Sequence, residues 1–279
     1  DALLSRGLGD VYKRQETSFT TKNFSTDISI SKVDDEFDTK KYFLDGSSIS
    51  FAVKNNILGF GFINRWWGPT HNNNLILSNY SRPSPGFYLN TLEPINFKNF
   101  LSFTGPLEYS FFINRLEKNR HIKNPYLIGT RVSINPLKNL YLGFSRTLTI
   151  GGEGRREDLS TFSKAFFGAL EGADNVNLSR ASATDGYDYS NQLAGYDIKY
   201  DLLIENILAS FYLQEIAEDG DTSSTSPFSG YMLTFGSEIK YEIDGLLRSF
   251  IIEFTRTILD RHNSYTKGRN LAYEHHTYQ

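Results

Sequence analysis

The sequence predicts an all-β, antiparallel fold, and three observations carry that expectation. Apolar and polar residues alternate at period two through most of the chain, as in strands with one apolar and one polar face. Several of these runs reach about 10 residues, the span of a tilted membrane strand, whereas soluble strands average about 5–6. Aromatic residues make up 15% of the chain, with 17 Tyr and 22 Phe. Aromatics favour pleated, half-buried surfaces and also form girdles at membrane interfaces. Alternation alone fits two architectures: a membrane barrel, whose faces meet lipid and lumen, and a soluble sandwich, whose faces meet core and solvent.

The elements follow in chain order. Asp10 to Gln15 reads DVYKRQ, the translation of one frame of a common transposase sequencing adapter (GAT GTG TAT AAG AGA CAG). Residues 1–15 are therefore expected to be non-native read-through, with the barrel domain occupying 16–279. No charged n-region followed by an apolar core is visible in this sequence. Residues 24–33 alternate, with Phe24, Thr26, Ile28 and Ile30 on one side. Residues 48–53 and 57–63 flank Asn55-Asn56, a pair suited to a tight hairpin. Leu107, Tyr109, Phe111 and Ile113 share a face, opposite Glu108, Ser110, Phe112 and Asn114. Residues 126–134 and 140–148 flank the turn cluster 135–139. Tyr196, Ile198, Tyr200, Leu202 and Ile204 alternate with Asp197, Lys199 and Asp201. Residues 207–216, 231–243 and 246–258 complete the series. Two regions break it. Residues 156–172 read as a short amphipathic helix, with Leu159, Phe162, Phe166 and Leu170 at intervals of three and four, Glu157 and Asp158 in its first turn, and Gly172 as its stop. Residues 219–230 are polar and aperiodic and read as an exposed loop.

Composition narrows the function. Mean hydropathy is −0.39, which excludes a run of helical membrane spans but not strands, whose lumen-facing residues are polar. Cysteine is absent, so no disulfide, thiolate zinc site or thiol nucleophile exists. The net charge is −3 and Lys and Arg are scattered, which gives no basic stripe for nucleic acid. Catalytic constellations are missing too. Asp34, Asp35 and Glu36 read as a solvated turn, as do Glu171 and Asp174. His275 and His276 would face opposite sides of a strand. His71, His121 and His262 have no ligand spacing. Gly151-Gly152-Glu153-Gly154 lacks the Lys-Ser/Thr of a phosphate loop. The reading is a non-enzymatic protein with no cofactor and no metal.

One segment stands apart. Residues 59–93 read GFGFINRWWGPTHNNNLILSNYSRPSPGFYLNTLE and hold both tryptophans, Trp66 and Trp67, at the end of an alternating strand. With the stretches at 100–155, 191–200 (NQLAGYDIKY) and 272–279 (AYEHHTYQ), this segment resembles the capsule assembly protein Wzi family, RWWGP being the most specific part. The family are outer-membrane β-barrels that help hold capsular polysaccharide on Gram-negative cells. The resemblance implies an antiparallel transmembrane β-barrel, here incomplete, in the bacterial outer membrane. Its implied partners are capsular polysaccharide and outer-membrane lipid, and a monomer is expected. An outer-membrane porin or sugar channel is the alternative, and a secreted β-sandwich lectin a third reading.

From this follow specific expectations. The chain should form an open, curved sheet of about 9–12 strands, an internal piece of a longer barrel. Leu140, Leu142, Phe144, Ile198, Tyr200, Leu202, Ile239 and Tyr241 should face outward. Tyr141, Ser145, Thr147, Asp197, Lys199, Glu238 and Lys240 should face inward. Sugars offer apolar faces to aromatic rings and hydroxyls to Arg, Asn and carboxylates. Arg65, Trp66, Trp67, Tyr80, Arg82 and Glu93 are thus candidate lumen-plug or polysaccharide-contact residues. The whole stretch 65–93 should turn into the barrel, with Arg82 meeting a carboxylate or carbonyls (Glu93 where the pair acts as a lumen plug), while the helix packs over the barrel mouth.

Overall fold

The alternating runs become long antiparallel strands joined by tight turns. The structure, a computed structural model, describes residues 11–34, 40–77, 81–120, 122–166, 190–218 and 231–256. Its strands are β1 (Val11–Thr20), β2 (Phe24–Asp34), β3 (Tyr42–Phe43), β4 (Ser48–Val53), β5 (Asn56–Phe62), β6 (Pro85–Thr91) and β7 (Leu107–Arg115). They continue with β8 (Tyr126–Leu137), β9 (Leu140–Ile150), β10 (Ser190–Ile204), β11 (Ile207–Glu218), β12 (Tyr231–Ile243) and β13 (Leu246–Arg256). Among the described residues one α-helix, α1 (Leu159–Phe166), lies between β9 and β10, and a 3-10 turn spans Phe100–Thr104.

All described strands join one sheet, in chain order from β1 to β13, with the two-residue β3 set beside β2. The sheet is open: β1 and β13 are its edges. Counting β3 it has 13 strands, slightly more than the sequence suggested. The strands that alternation did not pick out are β1, whose Val11–Gln15 pairs with Ile30–Asp34, the short β3, and β6. Two-residue turns close the hairpins at one end of the sheet. Lys54, Glu205 and Asp244 take positive φ there, at 54°, 52° and 55°. The first of these turns is Lys54-Asn55 rather than Asn55-Asn56, because Asn56 already pairs with Val53 and Thr91. The β5–β6 and β9–β10 connections leave from the other end, whereas the β6–β7 connection, residues 92–106, lies at the end of the tight turns.

The two faces are inverted relative to a soluble domain. Ile30, Phe51, Phe60, Phe87, Phe144, Ile198, Phe211, Phe235 and Phe254 point outward and are exposed. Ser31, Ser145, Thr147, Asp197, Ser210, Gln214, Thr234 and Glu238 point inward and are buried. Register ties these faces together: Leu142 pairs with Ile198, Ile198 with Leu213, and Leu213 with Phe235, all on the outside. The sets that alternation grouped, and that the barrel resemblance turned outward and inward, therefore fall as read, with Lys240 on the inner face beside Glu238 at 3.0 Å. A soluble sandwich requires the apolar face to be the covered one; here it is the bare one, and that reading falls.

The helix departs from expectation. It begins at Leu159, with Asp158 as its cap: the Thr161 N–H and hydroxyl donate to the Asp158 carboxylate at 3.0 and 2.7 Å. These bonds, the side-chain one first, hold the Asp158 carboxyl below its usual range. Glu157 lies outside the helix and accepts from the Gly152 N–H and from Arg115. Residues 167–172 of the expected helix and the loop 219–230 lie outside the described residues. The described turns of α1 pack on the outer face of the sheet, not over a mouth. Ala165 is buried with Ile128, Leu148 and Ile150, and Phe162 meets Tyr126 edge-on at 5.5 Å. Arg146, also outward, donates to the carbonyls of Ala165 and Phe166 at 3.0 and 2.6 Å. An apolar stripe found an apolar sheet face, and the exposed C-terminal carbonyls found a cation.

Candidate functional site

The connection from β5 to β6 leaves the sheet at Ile63 and runs inward. Its apolar side chains settle on the inner surface: Trp67, Ile76 and Leu77 bury themselves against Phe112, Leu127, Leu193 and Ile216. The Trp67 and Phe112 rings lie 5.3 Å apart. Gly129 makes this possible, because a Cβ there would sit 2.1 Å from the Phe112 ring. Glycine on β8 thus lets Phe112 lie flat and present its other face to the incoming segment.

The backbone of the segment is irregular, so its N–H and C=O groups need partners from elsewhere. Two far strands, β11 and β13, supply them, and a third, β12, meets a side chain of the segment. Gln214 on β11 donates to the Trp67 carbonyl at 2.7 Å and accepts from the Leu75 N–H at 3.3 Å. Glu253 on β13 accepts from the His71 and Asn72 N–H groups at 2.6 and 2.9 Å, and from the Tyr212 hydroxyl at 2.9 Å. Glu238 on β12 faces the His71 ring at 3.4 Å and accepts from Ser249 at 2.7 Å. The segment therefore spans the concave side of the sheet, from β5 to β13.

Below it, Arg131 and Asp197 form a two-pronged ion pair at 2.6 and 2.9 Å, with Ser145 accepting from the same guanidinium at 2.7 Å. Gly143 leaves the space, since a Cβ there would lie 2.3 Å from Arg131. Such a pair inside the curl fixes β8, β9 and β10 together without exposing charge to the apolar outside.

The sequence candidates divide. Arg65, Trp66 and Trp67 are in the inserted segment. The Trp66 ring is half-exposed and its indole N–H donates to the Thr70 carbonyl at 2.7 Å. Arg65 stacks its guanidinium over Phe112 at 4.2 Å and donates from Nη1 to the Ile63 carbonyl at 3.0 Å. Burial pushes its pKa down to about 10. Arg82 closes the segment, but its partner is Asp45 at 2.9 Å, with the Phe43 ring beneath it at 3.3 Å. Glu93 is not part of the site. Residues 85–91 form the regular strand β6, which carries Glu93 to the opposite end of the sheet, about 20 Å away at strand rise. There Glu93 and Asn55 exchange two hydrogen bonds at 2.9 and 3.0 Å. Tyr80 lies outside the described residues, as do His121, His262, His275 and His276.

Sequence reading missed the anchors. Gln214, Tyr212 and Glu253 are ordinary inward residues of alternating strands, and the segment's N–H groups that Gln214 and Glu253 accept from stand 139 to 182 residues away. The available signal was weak: a carboxylate, an amide and a phenol on the polar face of neighbouring strands. Among the described residues no three His, Cys, Asp or Glu side chains group as a metal site.

A curled antiparallel sheet with a bare apolar exterior, a polar interior and an inserted connection defines the barrel class that closes around a plug. The chain belongs to the capsule assembly protein Wzi family, whose profile matches residues 8–279. A curated relative, described as an uncharacterized 55.8 kDa protein in the cps region of Klebsiella pneumoniae, is 34% identical over 187 residues. That match covers 64% of this chain and 34% of the relative. A solved structure, described as Wzi, an outer membrane protein involved in group 1 capsule assembly in Escherichia coli and a carbohydrate-binding β-barrel, superimposes with a TM-score of 0.74 at 24% identity. It covers 93% of this chain and 54% of that one. The chain thus spans about half or less of the proteins it matches.

Proposed function

We propose that this chain is part of a non-enzymatic outer-membrane β-barrel that attaches or assembles capsular polysaccharide at the cell surface, acting as a monomer. The observation that carries the reading is the inserted segment, tied to β11, β12 and β13 from inside the curl. A segment anchored this way fills the interior and presents its half-exposed Trp66 and Arg82 at the end where the β5–β6 and β9–β10 connections lie. The exposed outer band suits lipid contact, because a contiguous apolar surface of this extent is not left bare in water. The family membership and the carbohydrate-binding solved relative support the polysaccharide role.

A porin is the competing function, and conductance separates the two. The full-length protein should pass little current in planar bilayers. Glu253→Ala removes the acceptor of two backbone N–H groups and should raise conductance by loosening the segment. A wide, freely conducting wild-type pore would establish the porin reading instead. In cells, Trp66→Ala with Trp67→Ala and Arg82→Ala should shift capsule from the cell-bound to the released fraction without reducing the total. Unchanged cell-bound capsule from a correctly inserted variant removes the attachment role.

A further inference from the structure

A cleft opens beside the inserted segment, between Arg65, Arg82 and Ser84 on one side and Asn114, Glu117 and Leu127 on the other. Its charges are unequally matched. Arg82 is paired with Asp45 at 2.9 Å, and Glu117 with Arg120 at 2.6 Å. Arg65 makes no ion pair among the described residues, and its Nη2 is buried with no hydrogen-bond partner. Asn114 repeats the pattern: its Nδ2 donates to the Ser84 hydroxyl at 3.0 Å, while its Oδ1 is buried and unpartnered.

A buried guanidinium nitrogen without an acceptor is costly, and native interiors rarely keep one without a reason. Phe112 holds the guanidinium plane from below at 4.2 Å, so the group cannot retreat to water along that side. Its lowered pKa of about 10 still leaves it charged at neutral pH. A desolvated cation of this kind attracts an anion more strongly than a surface lysine does, since little water screens it. The walls suit a hydroxylated ligand. Leu77, Leu116 and Leu127 offer apolar surface, while Ser84 and Asn64 offer polar groups for hydroxyls.

We propose that this cleft is a binding subsite for an acidic sugar unit, with Arg65 as the residue that selects its carboxylate. The inference rests on the polysaccharide role proposed above and adds to it a charge requirement. A small turn of the planar guanidinium brings its unpartnered edge to the carboxylate as a fork, the geometry at which arginine exceeds lysine. The carboxylate supplies the counter-ion that Arg65 does not find among the described residues.

The test uses the purified full-length protein in detergent and the two neighbouring tryptophans as reporters. Methyl β-D-glucuronide, methyl β-D-glucoside and acetate are titrated separately while tryptophan emission is followed. The glucuronide should bind at least about tenfold more tightly than the glucoside, a difference of about 1.4 kcal/mol, and acetate should bind more weakly than either. Arg65→Gln should erase the glucuronide preference, so that glucuronide and glucoside bind alike. Arg65→Lys should recover only part of the preference. Near-ultraviolet circular dichroism confirms that each variant keeps its packed aromatics, and Arg65→Lys carries the test should Arg65→Gln unfold. Equal binding of glucuronide and glucoside to the wild type overturns the proposal, as does a preference that survives in Arg65→Gln. Acetate binding as tightly as the glucuronide also overturns it, because the site then reads charge without sugar. A wild-type protein that shows no acid preference but binds a neutral polysaccharide would sink the subsite alone. Loss of all saccharide binding would sink the function reading with it.

Discussion

Two connections leave the same end of the sheet and settle on opposite faces. The one between β5 and β6 turns inward, and the one between β9 and β10 lays α1 on the outside. Both contain aromatic residues, so hydrophobicity does not sort them. Backbone hydrogen bonding does. The irregular β5–β6 segment carries N–H and C=O groups outside any ladder, which are met where Gln214 and Glu253 point, on the polar inside. A helix satisfies its own backbone except at its ends. Asp158 caps the start of α1 and Arg146 the carbonyls of its last turn, so α1 can rest on apolar strands. The same accounting excludes irregular backbone from lipid-exposed positions in membrane proteins generally.

The contrast can be broken at its inner half first. Phe112 is 1% exposed and supports both Trp67 and Arg65. Phe112→Ala should destabilise the protein by about 3–5 kcal/mol, the range for a buried aromatic. Equilibrium unfolding in urea from lipid bilayers measures it, and a change below 1 kcal/mol would mean that the inserted segment is not packed on β7.

The sheet faces themselves come next. Leu142→Arg, on the outside, should cost about 2–4 kcal/mol if the site lies near a bilayer midplane. Lys240→Arg on the inner face should cost little. Equal costs in the same unfolding assay would show that the outward band does not meet lipid.

The outer helix should respond more weakly. Arg146→Ala strips the Ala165 and Phe166 carbonyls of their donor and should cost about 1–3 kcal/mol, with enhanced proteolysis confined to the β9–β10 connection. Proteolysis of the β5–β6 connection instead would place α1 and the inserted segment in one unit.

The smallest effect is a pH dependence. Asp158 has its folded pKa depressed by the bonds from Thr161. Its contribution is therefore present above the ordinary carboxylate pKa and is lost as pH falls through the lower folded value. Asp158→Asn keeps a capping oxygen without the titration, so its acid limb should be flatter than that of the wild type. Identical acid limbs would leave the cap without a role in acid stability.

Against these tests, much of the fold was legible in the sequence. Alternation placed the strands, and the pairs Leu142 with Ile198 and Lys240 beside Glu238 fell on their expected faces. Part of the site was legible also. Trp66 and Trp67 follow a strand and precede Gly68-Pro69, a sequence that cannot continue a lipid-facing ladder. The error at Glu93 has a local cause. Gly86 to Thr91 pairs regularly with β5, and Gly86 to Asn90 with β7, a commitment that the prolines around it obscured.

What the sequence determined by itself was periodicity, and with it which residues share a face. Which face is inside was a tertiary decision, because period two is blind to the sign of the curl. The partners of the inserted segment were tertiary as well. Glu253 meets the His71 N–H across 182 residues, and only the curvature of the whole sheet brings those two groups together.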